Sequence, residues 1–391
     1  MQKTIYVDNA ATTPVSKEVL NEMLPYFTEY YGNASTLYSL GRQTKQAVDR
    51  AREQVAKAIN AEPSEIYFTA GGTESDNWAI RGMAMRLGPK GKKHIITSKI
   101  EHKGILRSLK VLEKEGFEVT YLDVDEYGFV NPSDVEKAIR PDTALVSIMF
   151  ANSEIGTIEP ISEIGEICKK HGVVFHTDAV QAVGTIPVDV KKDNIDLRSI
   201  SGQKFHAPKG IGVLYIRKGV NPVSLINGGS QENGKRAGTE NVPGIVGIGK
   251  AIEIAVSTMD ERSKRLSELR KILIDKVLTL PKSRLNGDPE KRLPGNASFC
   301  FEGIEGEGLV MRLDANGICA ATGSACSSDS LEPSHVLLAI GVPVEIAHGS
   351  LRVSFGDDNT KEDAEYVGDV IIKTVNTLRA MSPVWDKIKD N

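Results

Sequence analysis

From Ile66 onward the chain repeats one rhythm: a short apolar run, a loop, then an amphipathic helix. Nothing else in the sequence constrains the fold as strongly. The predicted strands are 66–69, 94–97, 119–122, 144–149, 173–176, 195–197 and 213–216, with helices at 74–87, 101–116 and 161–171 among them. Apolar strands alternating with helices argue an α/β fold with a mainly parallel sheet covered on both faces. Such sheets bind ligands at the carboxyl ends of their strands. Gly72, His102, Asn152, Asp178 and Lys204 each follow a predicted strand, which argues one shared site.

Lys204 lies in a Gly- and Pro-rich loop between strands, beside Ser201 and Gln203. A part-buried, crowded lysine loses its proton more readily and suits a Schiff base with pyridoxal 5'-phosphate (PLP). A solvated surface lysine is the bland alternative, and only the residues upstream change the balance. Asp178 could cap a turn, or it could keep a pyridine nitrogen protonated and make the ring an electron sink. Gln181 could donate to the ring's phenolic oxygen. Gly72 and Thr73 open a helix, and its N–H groups with the Thr73 hydroxyl form a phosphate cradle. Ser201 and Gln203 could add phosphate contacts. His102 could stack on the ring and move protons near neutral pH.

Beyond Asn241 the pattern changes to a long helical region, 242–280, then an alternating αβ tail. The expected division is a large domain, 15–255, and a smaller one made of 1–14 and 256–391. That second unit carries the run Ala320 to Ser330, whose small and polar residues surround Cys326. Cys168, Cys300 and Cys319 sit in apolar runs and read as core, so Cys326 stands out as a nucleophile. Arg352 lies in a strand among apolar neighbours, where its fork suits capture of a carboxylate or a structural ion pair.

Composition excludes several classes. With 48 basic and 52 acidic residues the formal charge is −4, which offers no electrostatic footprint for nucleic acid. No apolar run approaches a spanning helix, and residues 1–15 lack the pattern of a secretory signal, so no membrane partner and a cytoplasmic location are expected. Four cysteines without a CxxC pair offer neither a disulfide framework nor a zinc site.

The motifs in order resemble the group I (NifS/IscS-type) cysteine desulfurases, of the PLP-dependent class V aminotransferases. The resemblance rests on Tyr6 to Thr13, Tyr31-Gly32-Asn33, Thr73 to Asn77, Glu101-His102-Lys103, Asn152 to Gly156 and Thr177 to Gln181. Arg236 to Asn241, Gly323 to Cys326 and Ser330 to Ser334 complete it. It implies a fold-type I PLP-dependent transferase with PLP covalent to Lys204, Asp178 at the pyridine nitrogen and Gln181 at the phenolic oxygen. His102 would stack on the ring, and Gly72, Thr73, Ser201 and Gln203 would surround the phosphate. Thr239 would reach over from a second subunit of a homodimer. Asn152 and Arg352 would hold the substrate, with Asn33 a weaker candidate. The implied reaction takes L-cysteine to L-alanine and leaves the sulfur on Cys326 as a persulfide. An acceptor such as an iron–sulfur scaffold protein would receive it. No resident metal is implied, apart from Cys326 as a shared iron–sulfur ligand during transfer.

Three departures from the family pattern stand out. Gln203 replaces a usual histidine, Arg198 a usual leucine, and Ser230 and Asn233 a usual glycine and arginine. Arg198 in a buried strand is a burial problem unless it finds a partner. A selenocysteine lyase or sulfinate-type relative, and a weakly active or non-catalytic homologue that docks sulfur acceptors, remain as alternatives. The tail after Met381 is shorter than expected of housekeeping desulfurases, from which weak docking of a standard scaffold protein is expected.

Overall fold

The computed structural model describes residues 4–323 and 333–389. Its centre is a seven-stranded sheet ordered Ile66–Thr69, Gly212–Ile216, Leu197–Ser201, Val174–Asp178, Thr143–Ser147, His94–Ser98, Glu118–Leu122. Only Gly212–Ile216 runs against the others, antiparallel to both of its neighbours. The carboxyl ends of the remaining strands therefore share one edge of the sheet.

Alternation along each strand sends side chains to two separate cores. Phe68, Ile96, Val146, Phe175, Ile200 and Val213 face the helices Ser39–Ala58, Ile161–His171 and Val242–Ser257. Tyr67, Ile95, Leu145, Leu197 and Leu214 face Gly72–Leu87 and Lys103–Lys114. With apolar residues at both parities, the strands are buried on both sides, as their near-continuous apolar runs require.

A third core gathers Ile5 and Val7 with Leu266, Leu273, Phe299, Leu309, Leu351 and Ile371. Its sheet orders Ser350–Ser354, Asn296–Phe301 and Ser283–Leu285, all antiparallel, and Ile5–Tyr6 pairs in parallel with Ile318–Cys319. The N-terminal strand thus packs on the C-terminal elements.

Sequence and structure differ in places that have physical causes. The predicted strand at 195–197 starts at Leu197 and runs to Ser201, so Ser199 and Ser201 are strand residues and not loop. The helical region 242–280 is two helices, Val242–Ser257 and Met259–Val277, meeting at Thr258 with a bend of 72°. This break lies inside the predicted helical region, which itself ends at Val277, close to its expected end. Thr258 donates through Oγ1 to Ile254 O, and its main chain serves as the cap of both helices. Among the described residues no single helix is long and apolar enough to cross a membrane.

Candidate active site

The carboxyl edge of the sheet brings together most of the residues predicted for it. After Leu197–Ser201 the chain makes one turn of 3-10 helix, Gly202–Lys204, which places Lys204 beside the N-terminal segment. Lys204 Nζ donates to Ala10 O at 2.7 Å and to Ala11 O at 2.5 Å. Gln181 Nε2 donates to the same Ala10 carbonyl at 2.9 Å, so the two side chains meet on one acceptor. Gln203 anchors the turn through its carbonyl, which accepts from Thr13 N and Thr13 Oγ1, both at 3.0 Å.

Asp178 ends its strand only 6% exposed, with one oxygen accepting from Val180 N at 3.0 Å. Burial raises its carboxyl above the usual range, against the pull of His102 and Lys204. Asp76, from the helix Gly72–Leu87, lies behind it and is raised further, by burial and by Asp178 itself. Asp76, His102 and Asp178 each bring a ligand atom within 4.8 Å of the others. His102 caps the helix Lys103–Lys114, its Nδ1 accepting from Gly104 N at 3.1 Å. A neutral ring with Nδ1 so occupied carries its proton on Nε2.

Gly72 opens its helix hard against the strand edge. A Cβ there would stand 2.7 Å from Val180 Cγ2 and 3.4 Å from Ser201 Cβ, which accounts for glycine at this position. Thr73 follows, exposed, with the first-turn N–H groups that a helix leaves without intrahelical partners.

Asn152 is 1% exposed and shapes the turn after its strand. Its Oδ1 accepts from Glu154 N and Ile155 N, and its Nδ2 donates to Ile100 O at 3.0 Å. Arg352 is 5% exposed, pairs with Asp8 at 2.7 Å, reaches Ser153 O at 3.4 Å, and keeps Nε without a hydrogen-bond partner among the described residues. Asn33 braces its own turn by accepting from Ser35 N, and Thr239 is exposed. Cys326, with Ser324 and Ala325, lies outside the described residues. The other three thiols are held protonated. Burial pushes Cys168 well up and Cys300 up to about 11, and it raises Cys319, which is only half-buried.

Sequence reading missed the buried acids around this edge. Glu101 accepts from Ser98 Oγ and Met149 N, and burial pushes its carboxyl up to about 8. Glu159 is raised well above the usual range by burial, and Glu154 up to about 7. The signal was present: Asp76, Glu101 and Glu154 each stand inside one of the quoted motifs, a few residues after an apolar strand. Glu232 was missed as well. At φ 48° its backbone is in the left-handed region, and its carboxylate clamps Arg52 with contacts of 2.6 and 2.9 Å while accepting from Phe68 N.

The profile of the class-V aminotransferases matches residues 5–367. The chain belongs to the class-V aminotransferase family. It is 58% identical to the cysteine desulfurase IscS of Methanosarcina thermophila, over 98% of this chain and 95% of that protein. It is 57% identical to the IscS of Clostridium botulinum, over 100% of this chain and 99% of that protein. Among solved structures, a NifS-like protein superposes with a TM-score of 0.90 at 41% identity, covering 96% of this chain and all of that one.

Class-V aminotransferases use PLP, and the residues present fit it. An ammonium, an amide and a deeply buried carboxyl converge beside a helix start that only glycine can open. The buried carboxyls also favour a cationic partner such as a protonated pyridine nitrogen.

Proposed function

We infer that this protein is a PLP-dependent cysteine desulfurase that converts L-cysteine to L-alanine and passes the sulfur to Cys326. The observation that carries this reading is the meeting of Lys204 and Gln181 on the Ala10 carbonyl, at the sheet edge where Asp178 is buried. Bound PLP supplies the electron sink that makes the chemistry at the substrate's carbon atoms accessible. Lys204 holds the cofactor and moves protons at Nζ. Asp178 meets the ring nitrogen, Gln181 the phenolic oxygen, and Gly72, Thr73, Ser201 and Gln203 the phosphate. His102 stacks on the ring and exchanges a proton at Nε2. Arg352 takes the substrate carboxylate, with its spare Nε as a donor, and Asn152 holds the turn that faces it. The Cys326 thiolate attacks the substrate sulfur. The new S–S bond forms as the substrate's C–S bond breaks; the C–S electron pair goes to the substrate carbon, which takes up a proton and leaves as the methyl group of alanine, and the persulfide remains on Cys326.

Two further features belong to this reading. The protein is a cytoplasmic homodimer, with Thr239 serving the partner's phosphate site and Asn33 near the substrate entrance. Exposed Leu24, Phe27, Tyr31, Leu37 and Tyr38 support an apolar interface beside Asn33. The large domain is 15–255 and the small one 1–14 with 256–391. The separation of the cores that contain Val19 to Ala255 from the one that contains Ile5, Val7 and Leu266 to Val375 supports this division. An iron–sulfur scaffold is the proposed acceptor.

The test is direct. Purified protein is expected to show a visible absorbance band that changes on adding L-cysteine, to release alanine, and to carry persulfide on the Cys326 peptide by mass spectrometry. Turnover of selenocysteine or cysteine sulfinate but not of cysteine would overturn the substrate. Alanine release without persulfide on Cys326 would overturn the nucleophile.

A further inference from the structure

Glu154 sits in the turn after Thr143–Ser147, and no role above uses its side chain. Ser334 Oγ donates to Glu154 Oε2. The same hydroxyl accepts from Val336 N at 3.1 Å and Leu337 N at 3.3 Å and so caps the helix His335–Ala339. On the other side Gly323 lies so close that a Cβ there would stand 3.3 Å from Glu154 Oε2. One carboxyl thus accepts from Ser334 and lies beside Gly323, whose own N–H donates to Ser350 Oγ at 3.3 Å; these two residues are the described ends of the chain that brackets Cys326.

The main chain around Glu154 is tied down. Its N–H donates to Asn152 Oδ1 at 2.8 Å, and its carbonyl accepts from Asn296 Nδ2 at 3.4 Å. The Ser153 carbonyl accepts from Arg352 Nη1. Ala321, two residues before Gly323, exchanges backbone hydrogen bonds with Arg352. Cations face the carboxyl from two elements, Arg352 from its strand and Lys103 from the helix Lys103–Lys114, with the His102 ring at that helix's cap. Asp8 offsets part of the Arg352 charge. Against these cations and the Ser334 hydroxyl, burial still pushes the Glu154 carboxyl up to about 7.

We propose that Glu154 is a positioning residue for sulfur transfer: its carboxylate holds Ser334 and packs beside Gly323, the described residues that flank the Cys326 segment, relative to Arg352 and His102. The proposal rests on Cys326 as the sulfur acceptor. A carboxylate accepts the Ser334 hydroxyl more strongly than a carboxylic acid does and is drawn to the Arg352 and Lys103 cations. Positioning therefore strengthens as pH rises through about 7 and weakens below it.

The test uses the holoenzyme with Glu154→Ala, Glu154→Gln and, as a control, Cys326→Ala. Glu154→Ala is expected to lower kcat for alanine formation about tenfold to a hundredfold, the cost of a small misplacement, with KM for L-cysteine and the visible absorbance unchanged. The amide oxygen of Glu154→Gln still accepts from Ser334, so kcat largely returns, but the acid limb of its pH profile near neutrality disappears. Hydrogen exchange at the Val336 and Leu337 amides is expected to accelerate in Glu154→Ala and not in Glu154→Gln, with or without cofactor. A parent kcat in Glu154→Ala, a rise in KM alone, or an intact acid limb in Glu154→Gln would each overturn the proposal. If Cys326→Ala keeps the parent rate, the reading of Cys326 falls and this proposal with it.

Discussion

Arg198→Leu should make this protein more stable. Arg198 is 0% exposed, and its Nε, Nη1 and Nη2 find no hydrogen-bond partner among the described residues. Its compensation is thin: Asp193 Oδ2 at 3.8 Å and the face of Phe150 at 5.4 Å. At that separation the ion pair is worth about 4 kcal/mol at an effective dielectric of about 20. Desolvation costs several kcal/mol for each ion, and the unmade hydrogen bonds add about 1–3 kcal/mol. The ring returns at most about 2 kcal/mol. Asp193 is not abandoned by the change, because Ser162 Oγ still donates to it at 2.6 Å. Replacing buried ion pairs with apolar side chains gains about 1–4 kcal/mol. The smaller volume of leucine takes back part of that, so about 1–3 kcal/mol is expected. Burial holds the guanidinium down to about 10, below its ordinary value. At neutral pH it is charged both folded and unfolded, so the gain is constant there. Above pH 10 the unfolded chain binds the extra proton, the parent's stability rises with pH, and the difference closes. Urea denaturation followed by tryptophan fluorescence, at one protein concentration, reads the gain from the midpoint. A loss of about 1 kcal/mol or more would mean that the guanidinium has hydrogen-bonding partners the argument omits.

Lys204→Ala is expected to abolish the cofactor's visible absorbance, while Cys326→Ala keeps the absorbance and loses sulfur transfer; spectra and persulfide mass analysis separate the two. Gln203→His should tighten PLP binding by about tenfold or less, since the glutamine amide already donates; an unchanged Kd by equilibrium dialysis would remove that reading. Glu232→Ala should destabilise the fold by about 3–5 kcal/mol in urea denaturation, because it leaves the Arg52 guanidinium, buried over the Phe68 ring, without its carboxylate.

The sheet and its chemical edge were legible in the sequence because strand-ending residues are set by local pattern. Apolar runs located Ile66–Thr69 and His94–Ser98 to within a residue. What pattern could not supply was pairing across long separations. Nothing near Glu232 announces Arg52, 180 residues earlier, and nothing near Arg352 announces Asp8. The short strand Ser283–Leu285 escaped because it is half-buried and carries no alternation to count. Arg198 was legible as an anomaly, but its surroundings were not. Its pairing with Thr177 and Tyr215 is a matter of sheet register.

Cysteine placement extends the argument from geometry to selectivity. Sulfur transfer through a persulfide requires one thiol to be reactive and the rest to stay silent, since any exposed thiolate would intercept the sulfur. The fold silences three. Cys168 lies in the helix Ile161–His171 against the core, where burial and Asp196 disfavour the thiolate. Cys300 sits in the middle strand of the small sheet with Asn286 Nδ2 at 3.3 Å from its sulfur, and burial outweighs that hydrogen bond. Cys319 is less covered, yet Asp314 and Asp8 add repulsion to burial. Asp8 does this while also pairing with Arg352, so one carboxylate serves both the arginine proposed to take the substrate and the silencing of a nearby thiol. Of the four cysteines, the one proposed to carry the sulfur, Cys326, stands in the sequence among small and polar residues, Thr322 to Asp329.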